Sequence, residues 1–222
     1  MINTVEVVKS AGFKREINSS RNYSDIIFLK TKRCFDIILS LLLLFFMIFA
    51  TIPIAICIII TSPGPILFWS ERVGKDNVLF QMPKFRTMYI NTPIVSTSKI
   101  PNPKKCLTPV GGFMRKCSLD ELPQLFSILK GDMSFIGPRP VLSTICGDQE
   151  LIDIRTKYGI HKLTPGLSGW QQVNGRDNLT MVEKAAFDLE YMNKQSFWFD
   201  AKIFFFSVLH FVVIADRDKI SH

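Results

Sequence analysis

The residues best equipped for chemistry lie between Arg115 and Pro140, which reads R-K-C-S-L-D-E-L-P-Q-L-F-S-I-L-K-G-D-M-S-F-I-G-P-R-P. Two adjacent carboxylates, Asp120 and Glu121, open an apolar-periodic segment, with Arg115 and Lys116 before them and Arg139 after. Neighbouring carboxylates raise each other's pKa, so a pair that stays ionised in a partly buried cleft needs a cation beside it. Magnesium suits such a pair, because it takes one or two carboxylates, keeps some of its waters and completes its shell with phosphate oxygens. The expected chemistry is phosphate handling, with Asp120 and Glu121 as the Mg2+ ligands. One acid would anchor the ion against a diphosphate while the other attacks phosphorus and forms an aspartyl-phosphate type intermediate.

The same residues also fit a purely structural pattern. Ser118-x-x-Glu121 reads as a capping box, with Leu122, Leu125, Phe126 and Leu129 as the buried stripe and Lys130-Gly131 as the stop. Pro123 disfavours a helix that begins at Leu119, since it would remove a bond near the fifth position, and tolerates one that begins just after Asp120. Both patterns place the acid pair at a helix N-terminus, where phosphate is favoured. Arg139 stands between two prolines that hold it extended, and a rigidly presented guanidinium suits bidentate phosphate binding. The competing reading is a stiff Gly/Pro turn with an exposed arginine.

Composition narrows the setting. The chain has 222 residues, is 47% hydrophobic with 19 Phe, and carries a net charge of +8, which points to one domain in contact with a membrane. Anionic lipid and phosphorylated substrates account for the charge, and no nucleic-acid recognition motif accompanies it. Cys34, Cys57, Cys106, Cys117 and Cys146 form no C-x-x-C pair, so neither a zinc site nor a disulfide framework is expected. With only His161, His210 and His222 available, carboxylates and cations must carry any chemistry.

Three regions must position these groups. Residues 1–30 form a mixed, polar extension that does not fit a cleaved signal sequence. Residues 31–61 hold the apolar run Ile37 to Ile60, about 24 residues, which is long enough to cross a bilayer. Lys30, Lys32 and Arg33 before the run and Arg72, Lys75, Lys84 and Arg86 after it pull both ends to the cytoplasmic side. Pro53, which lacks an amide donor, offers a place to bend, so a re-entrant helical hairpin is expected, with a straight span as the alternative. Residues 62–222 then form the catalytic domain. Ile66 to Val73 and Val78 to Gln81 read as a β-hairpin about a Gly74–Asn77 turn. Tyr89 to Lys105 reads as a loop suited to act as a lid. Thr180-x-x-Glu183 is a capping box ahead of a stripe of Val182, Ala185, Ala186, Leu189 and Met192. Trp170 is either a core residue or a platform for a base, and the aromatic Phe197 to Ala215 suits an interfacial helix. Asp216-Arg217-Asp218 reads as a solvated end rather than a metal-binding triplet.

S-L-D-E-L-P-Q-L, K-G-D-M-S-F-I-G-P-R-P and P-G-L-S-G-W-Q-Q-V-N-G-R, in this order, resemble the bacterial sugar transferases, the monotopic polyprenyl-phosphate phosphoglycosyl transferases, from about Lys32 to about Ala215. The resemblance implies transfer of a hexose 1-phosphate from a UDP-sugar to polyprenyl (undecaprenyl) phosphate through a covalent aspartyl-phosphosugar, with release of UMP. It places Lys84 of K-F-R at the active site, and Arg115, Arg139 and Arg176 near the phosphates. Asp200 of F-x-x-D-x-K-I belongs to the active site on the same grounds, against a plain helix N-cap. The family bends its membrane helix at a Ser-Pro pair about one turn earlier, where this chain has Ile48 and Phe49. The expected fold is α+β and mostly helical: a re-entrant membrane hairpin, a small cytoplasmic domain with a β-hairpin, and interfacial amphipathic helices. The expected location is the cytoplasmic face of a bacterial inner membrane, with membrane lipids as partners and a homodimer open. The alternative function is a non-catalytic membrane scaffold for a glycan assembly complex.

Overall fold

The computed structural model describes residues 23–95, 100–143, 148–175 and 179–217. These residues are mostly helical, with one long apolar helix followed by two small sheets and further helices.

Helix α1 runs from Tyr23 to Thr61 with Pro53 inside it, so it begins earlier than residue 31. Its leucines favour helix, and it is long and apolar enough to cross a membrane. Its two flanks pack on the rest of the protein. On the first flank Arg33 donates to the carbonyls of Ile128 and Leu129, and the buried Asp36 accepts from Ser134 Oγ and the Phe135 amide, both at 3.1 Å. On the second, Ile58 is fully buried with Phe85 and Met114, and Arg86 donates to the carbonyls of Ser62 and Pro63. Between them Phe45, Phe46, Ile48, Phe49 and Ile52 are exposed, Phe49 by 76%.

Strands β1 (Leu67–Val73) and β2 (Leu79–Phe85) form an antiparallel hairpin in register from Leu67↔Phe85 to Val73↔Leu79. Asp76 and Asn77 in its turn take positive φ, which their short polar side chains tolerate. The second strand runs beyond Gln81 to Phe85, so Lys84 belongs to the sheet. The order is β2-β1-β4, with β4 spanning Val141–Leu142, and Pro83 is accommodated because β2 is an edge strand. Alternation puts Phe80, Met82 and Lys84 on one face. The first two enter a core with Leu125, Ile128, Met133 and Phe135, and Lys84 emerges at its rim.

Two short helices, α2 (Gly111–Lys116) and α3 (Gln124–Lys130), flank the acid pair. On α3 the buried residues are Gln124, Leu125, Ser127 and Ile128. Phe126, expected in the stripe, is 62% exposed, because the helix starts later and turns its apolar face elsewhere. Gly131, at φ 99, ends α3 as expected by returning its amide to Ser127 and Ile128.

Strand β3 (Ser134–Ile136) pairs in parallel with β5 (Gly166–Ser168), and the two backbones then cross. A Cβ on Gly169 would lie 2.1 Å from the Gly137 carbonyl oxygen, and one on Gly166 would lie 2.1 Å from the Gly137 nitrogen. Helices α4 (Gln149–Lys157), α5 (Trp170–Val173), α6 (Met181–Lys194) and α7 (Phe197–Arg217) complete the described fold. The Thr180/Glu183 capping box is formed at the start of α6. The accepted bonds hold the Glu183 carboxyl below its ordinary range. On α7 the Phe199 amide bonds the Ser196 hydroxyl at 3.2 Å, so Ser196 rather than Asp200 caps the helix. Phe197, Trp198 and Phe205 on α7 are exposed.

Candidate active site

Asp120 and Glu121 stand on a 3-10 turn, Leu119–Glu121, and not on a capped α-helix. Pro123 has no amide to continue the ladder, so the turn stops and α3 restarts with Pro123 at its N-cap. Ser118 takes φ +50 and its side chain makes no cap hydrogen bond, so the capping box expected there does not form. The tight turn leaves Asp120 8% exposed.

Cations converge on this turn from three other segments. Lys84 of β2 places Nζ 2.9 Å from Glu121 Oε1. Arg139, in the Gly137–Pro140 segment after β3, places Nη2 3.9 Å from the same oxygen with its side chain 40% exposed. Arg115 at the end of α2 donates Nε to Thr87 Oγ1 at 2.9 Å, and its charge pulls the Asp120 pKa down. Burial nevertheless dominates and pushes the Asp120 carboxyl above its ordinary value; Lys84 pulls it back and Glu121 pushes it further up. Burial likewise draws Lys84 below the usual lysine range, against the opposing pull of Glu121. The result is a carboxylate and an amine brought closer in basicity than in water.

Of the two remaining expected residues, only one is described. Arg176 lies outside the described residues. Asp200 belongs to another cluster: it bonds Lys32, and accepts from the Tyr191 hydroxyl at 2.8 Å. Burial raises its pKa, and the Lys32 charge lowers it. This cluster ties α1 to α6 and α7. Trp170 is committed to the core, donating Nε1 to Glu190 at 2.8 Å and packing on Phe199, so it is not an open platform for a base.

Sequence reading used Lys32 only for its charge before the apolar run and passed over Asp36 and Thr87. Asp36 had one signal, an isolated acid on the threshold of an uncharged run. Thr87 had none, since a lone threonine carries no pattern. One groove, about 710 Å3, is lined by Trp69, Leu79, Pro83, Phe126, Lys130 and others, without Asp120 or Glu121.

Among the described residues no group of three or more His, Cys, Asp or Glu side chains gathers as a metal cage. The Asp120/Glu121 pair supplies the two carboxylates that magnesium uses when phosphate and water complete its shell, so its donor set fits that ion.

A buried acid beside a second acid, ringed by lysine and arginine, is an arrangement suited to phosphate groups. The chain belongs to the bacterial sugar transferase family, whose pattern it matches over residues 27–213. It is 38% identical over 185 residues to the UDP-glucose:undecaprenyl-phosphate glucose-1-phosphate transferase of Escherichia coli, a match covering 80% of this chain and 39% of that protein. It is 36% identical over 195 residues to the undecaprenyl-phosphate galactose phosphotransferase of Salmonella typhimurium, covering 78% of this chain and 39% of that one. With the uncharacterized sugar transferase EpsL of Bacillus subtilis it shares 34% identity over 159 residues, covering 72% of this chain and 76% of that protein. The chain thus spans about two fifths of the first two relatives.

Proposed function

We propose that this protein transfers a hexose 1-phosphate from a UDP-sugar to a polyprenyl phosphate, releasing UMP. The observation that carries the reading is the buried Asp120 on its turn, next to a Glu121 engaged by Lys84 and Arg139. Names of the relatives, which specify undecaprenyl-phosphate acceptors and sugar phosphates, support it.

In the proposed reaction a carboxylate oxygen of Asp120 attacks the phosphorus bonded to the sugar. The bond from that phosphorus to the bridging oxygen breaks, and UMP leaves with the electron pair. An oxygen of the polyprenyl phosphate then attacks the same phosphorus and Asp120 departs. Lys84, Arg115 and Arg139 offset charge on the equatorial oxygens, the main task in phosphoryl transfer. Asp120 and Glu121 would hold magnesium, which when bound neutralises diphosphate charge and raises the electrophilicity of phosphorus. No additional energy source is needed, because donor and product both contain a sugar diphosphate linkage.

The proposed setting is the cytoplasmic face of the inner membrane, with α1 entering and leaving by the same side. A straight helix from Asp36 to Ile58 would extend about 33 Å, close to the hydrocarbon thickness. One small domain packs on both of those flanks while the middle is exposed, which supports entry and exit by the same side over a straight span. The basic residues on both sides of the run support the same topology. Labelling of a cysteine placed before Tyr23 in intact cells tests it: protection from an impermeant reagent is expected, and external labelling refutes it.

A panel of UDP-sugars, offered with polyprenyl phosphate and Mg2+ to the lipid-supplied protein, tests the reaction. UMP formation from at least one donor is expected. No UMP from any donor, with the protein folded, refutes the reading.

A further inference from the structure

Arg139 is held in an unusual way. Pro138 and Pro140 have no amide hydrogen, so the Gly137–Pro140 segment must be fixed largely through its carbonyl oxygens. The fold supplies a donor to each of three in succession. Pro138 O accepts from the Gly166 amide at 2.9 Å, Arg139 O accepts from Arg155 Nη1 at 2.9 Å, and Pro140 O accepts from Arg72 Nη1 at 3.3 Å.

Arg155 makes the central bond, and it is itself locked. From α4 it donates Nε and Nη2 to Asp188 Oδ2 of α6, at 3.0 and 2.6 Å. The ion pair is buried, with the side chains 8% and 1% exposed. Burial pushes the Asp188 carboxyl up and the Arg155 charge pulls it back. A buried Arg–Asp pair is often no better for stability than well-packed apolar residues, so stability alone does not call for it. What an apolar pair cannot do is donate to the Arg139 carbonyl. A guanidinium can serve the carboxylate with one edge and the carbonyl with another in a fixed plane, and a lysine ammonium cannot reproduce that fork.

We propose that Arg155, braced by Asp188, is a positioning residue that sets the backbone of Arg139 and so aims its guanidinium at the donor's phosphates beside Glu121. The inference rests on the transferase reading for the identity of those phosphates. It assigns a role in donor binding to two residues that touch no substrate.

The test compares Arg155→Lys with the parent, each also in an Arg139→Ala background, using the full chain in lipid nanodiscs. Melting temperature, donor KM and kcat are measured together. Arg155→Lys is expected to raise the donor KM roughly tenfold while altering kcat less, since displacement of a binding group weakens alignment. In the Arg139→Ala background it should cause no further rise. A merely structural role predicts an equal loss in both backgrounds, tracking the melting temperature and falling on kcat through the folded fraction. That pattern, or an unchanged KM, overturns the proposal. Should Arg155→Lys fail to fold, Asp188→Asn, which retains the side chain's shape and loosens the brace, takes its place in the same cycle. Absence of turnover in the parent sinks the transferase reading alone. The cycle is then read from the affinity for UDP with Mg2+ by calorimetry, where the same dependence on Arg139 is expected and its absence overturns the positioning role.

Discussion

Replacing Asp120 by asparagine should abolish turnover and make the protein more stable at neutral pH. The substitution keeps the side chain's size in a position only 8% exposed, so packing is preserved while the charge goes. Lys84 keeps its partner, because its bond is to Glu121 at 2.9 Å. Burial raises the Asp120 pKa in the folded protein above its ordinary value of 3.8. A carboxyl raised in this way binds its proton more tightly folded than unfolded. Its contribution to stability is therefore greatest at low pH and is lost as pH climbs from the unfolded to the folded pKa. Each pKa unit of that difference costs the ionised protein about 1.4 kcal/mol, and a chain of this size changes its Tm by about 2–4 °C per kcal/mol. Asp120→Asn should melt roughly 3–6 °C above the parent at pH 8 for each such unit, with the gap closing toward pH 4. Turnover should fall by about a thousandfold or more, as for loss of a nucleophile. Thermal unfolding at several pH values in one lipid preparation, alongside UMP release, checks both. A variant less stable than the parent at pH 8, or a gap independent of pH, would refute the electrostatic reasoning.

Further outcomes follow from the same geometry. Lys84→Met removes the charge that most strongly lowers the Asp120 pKa, so the acid limb of the pH–rate profile should move to higher pH as kcat falls; an unmoved limb would separate Lys84 from Asp120. Gly169→Ala would set a Cβ 2.1 Å from the Gly137 carbonyl oxygen, forcing apart the crossing that carries Gly137–Pro140. It should cost about 1–3 kcal/mol, seen as a lower Tm, and a neutral result would contradict the crossing. Chelation of divalent ions should stop UMP release and added Mg2+ restore it, whereas full activity in the chelator would remove the metal from Asp120 and Glu121.

Local pattern was enough to read the hairpin, the Gly131 stop, the Thr180 capping box and the apolar α1, because each depends on residues a few positions apart. It also singled out Asp120, Glu121 and Arg139, while Lys84 came only from the family resemblance; its meeting with Glu121 joins residues 37 positions apart and periodicity alone does not reveal it. The errors have physical causes. Pro123 broke the expected capped helix into a 3-10 turn and a later α3, and this rotated Phe126 outward. Asp200 is not the cap of α7, because Ser196 takes that place and Lys32, far away in sequence, holds the carboxylate together with Tyr191. Arg155 and Asp188 were illegible for the same reason: they are separated by 33 positions and sit in helices whose periodicity shows only which face is apolar.

The central claim is that Asp120 forms a bond to phosphorus. Incubating the protein with Mg2+ and its UDP-sugar, without any acceptor, and then measuring the masses of its peptides tests that most directly. A sugar phosphate on the peptide containing Asp120, with matching UMP release and neither in Asp120→Asn, is the predicted result. UMP that appears only when polyprenyl phosphate is present, with no adduct at Asp120, would contradict it and point to direct transfer between two bound substrates.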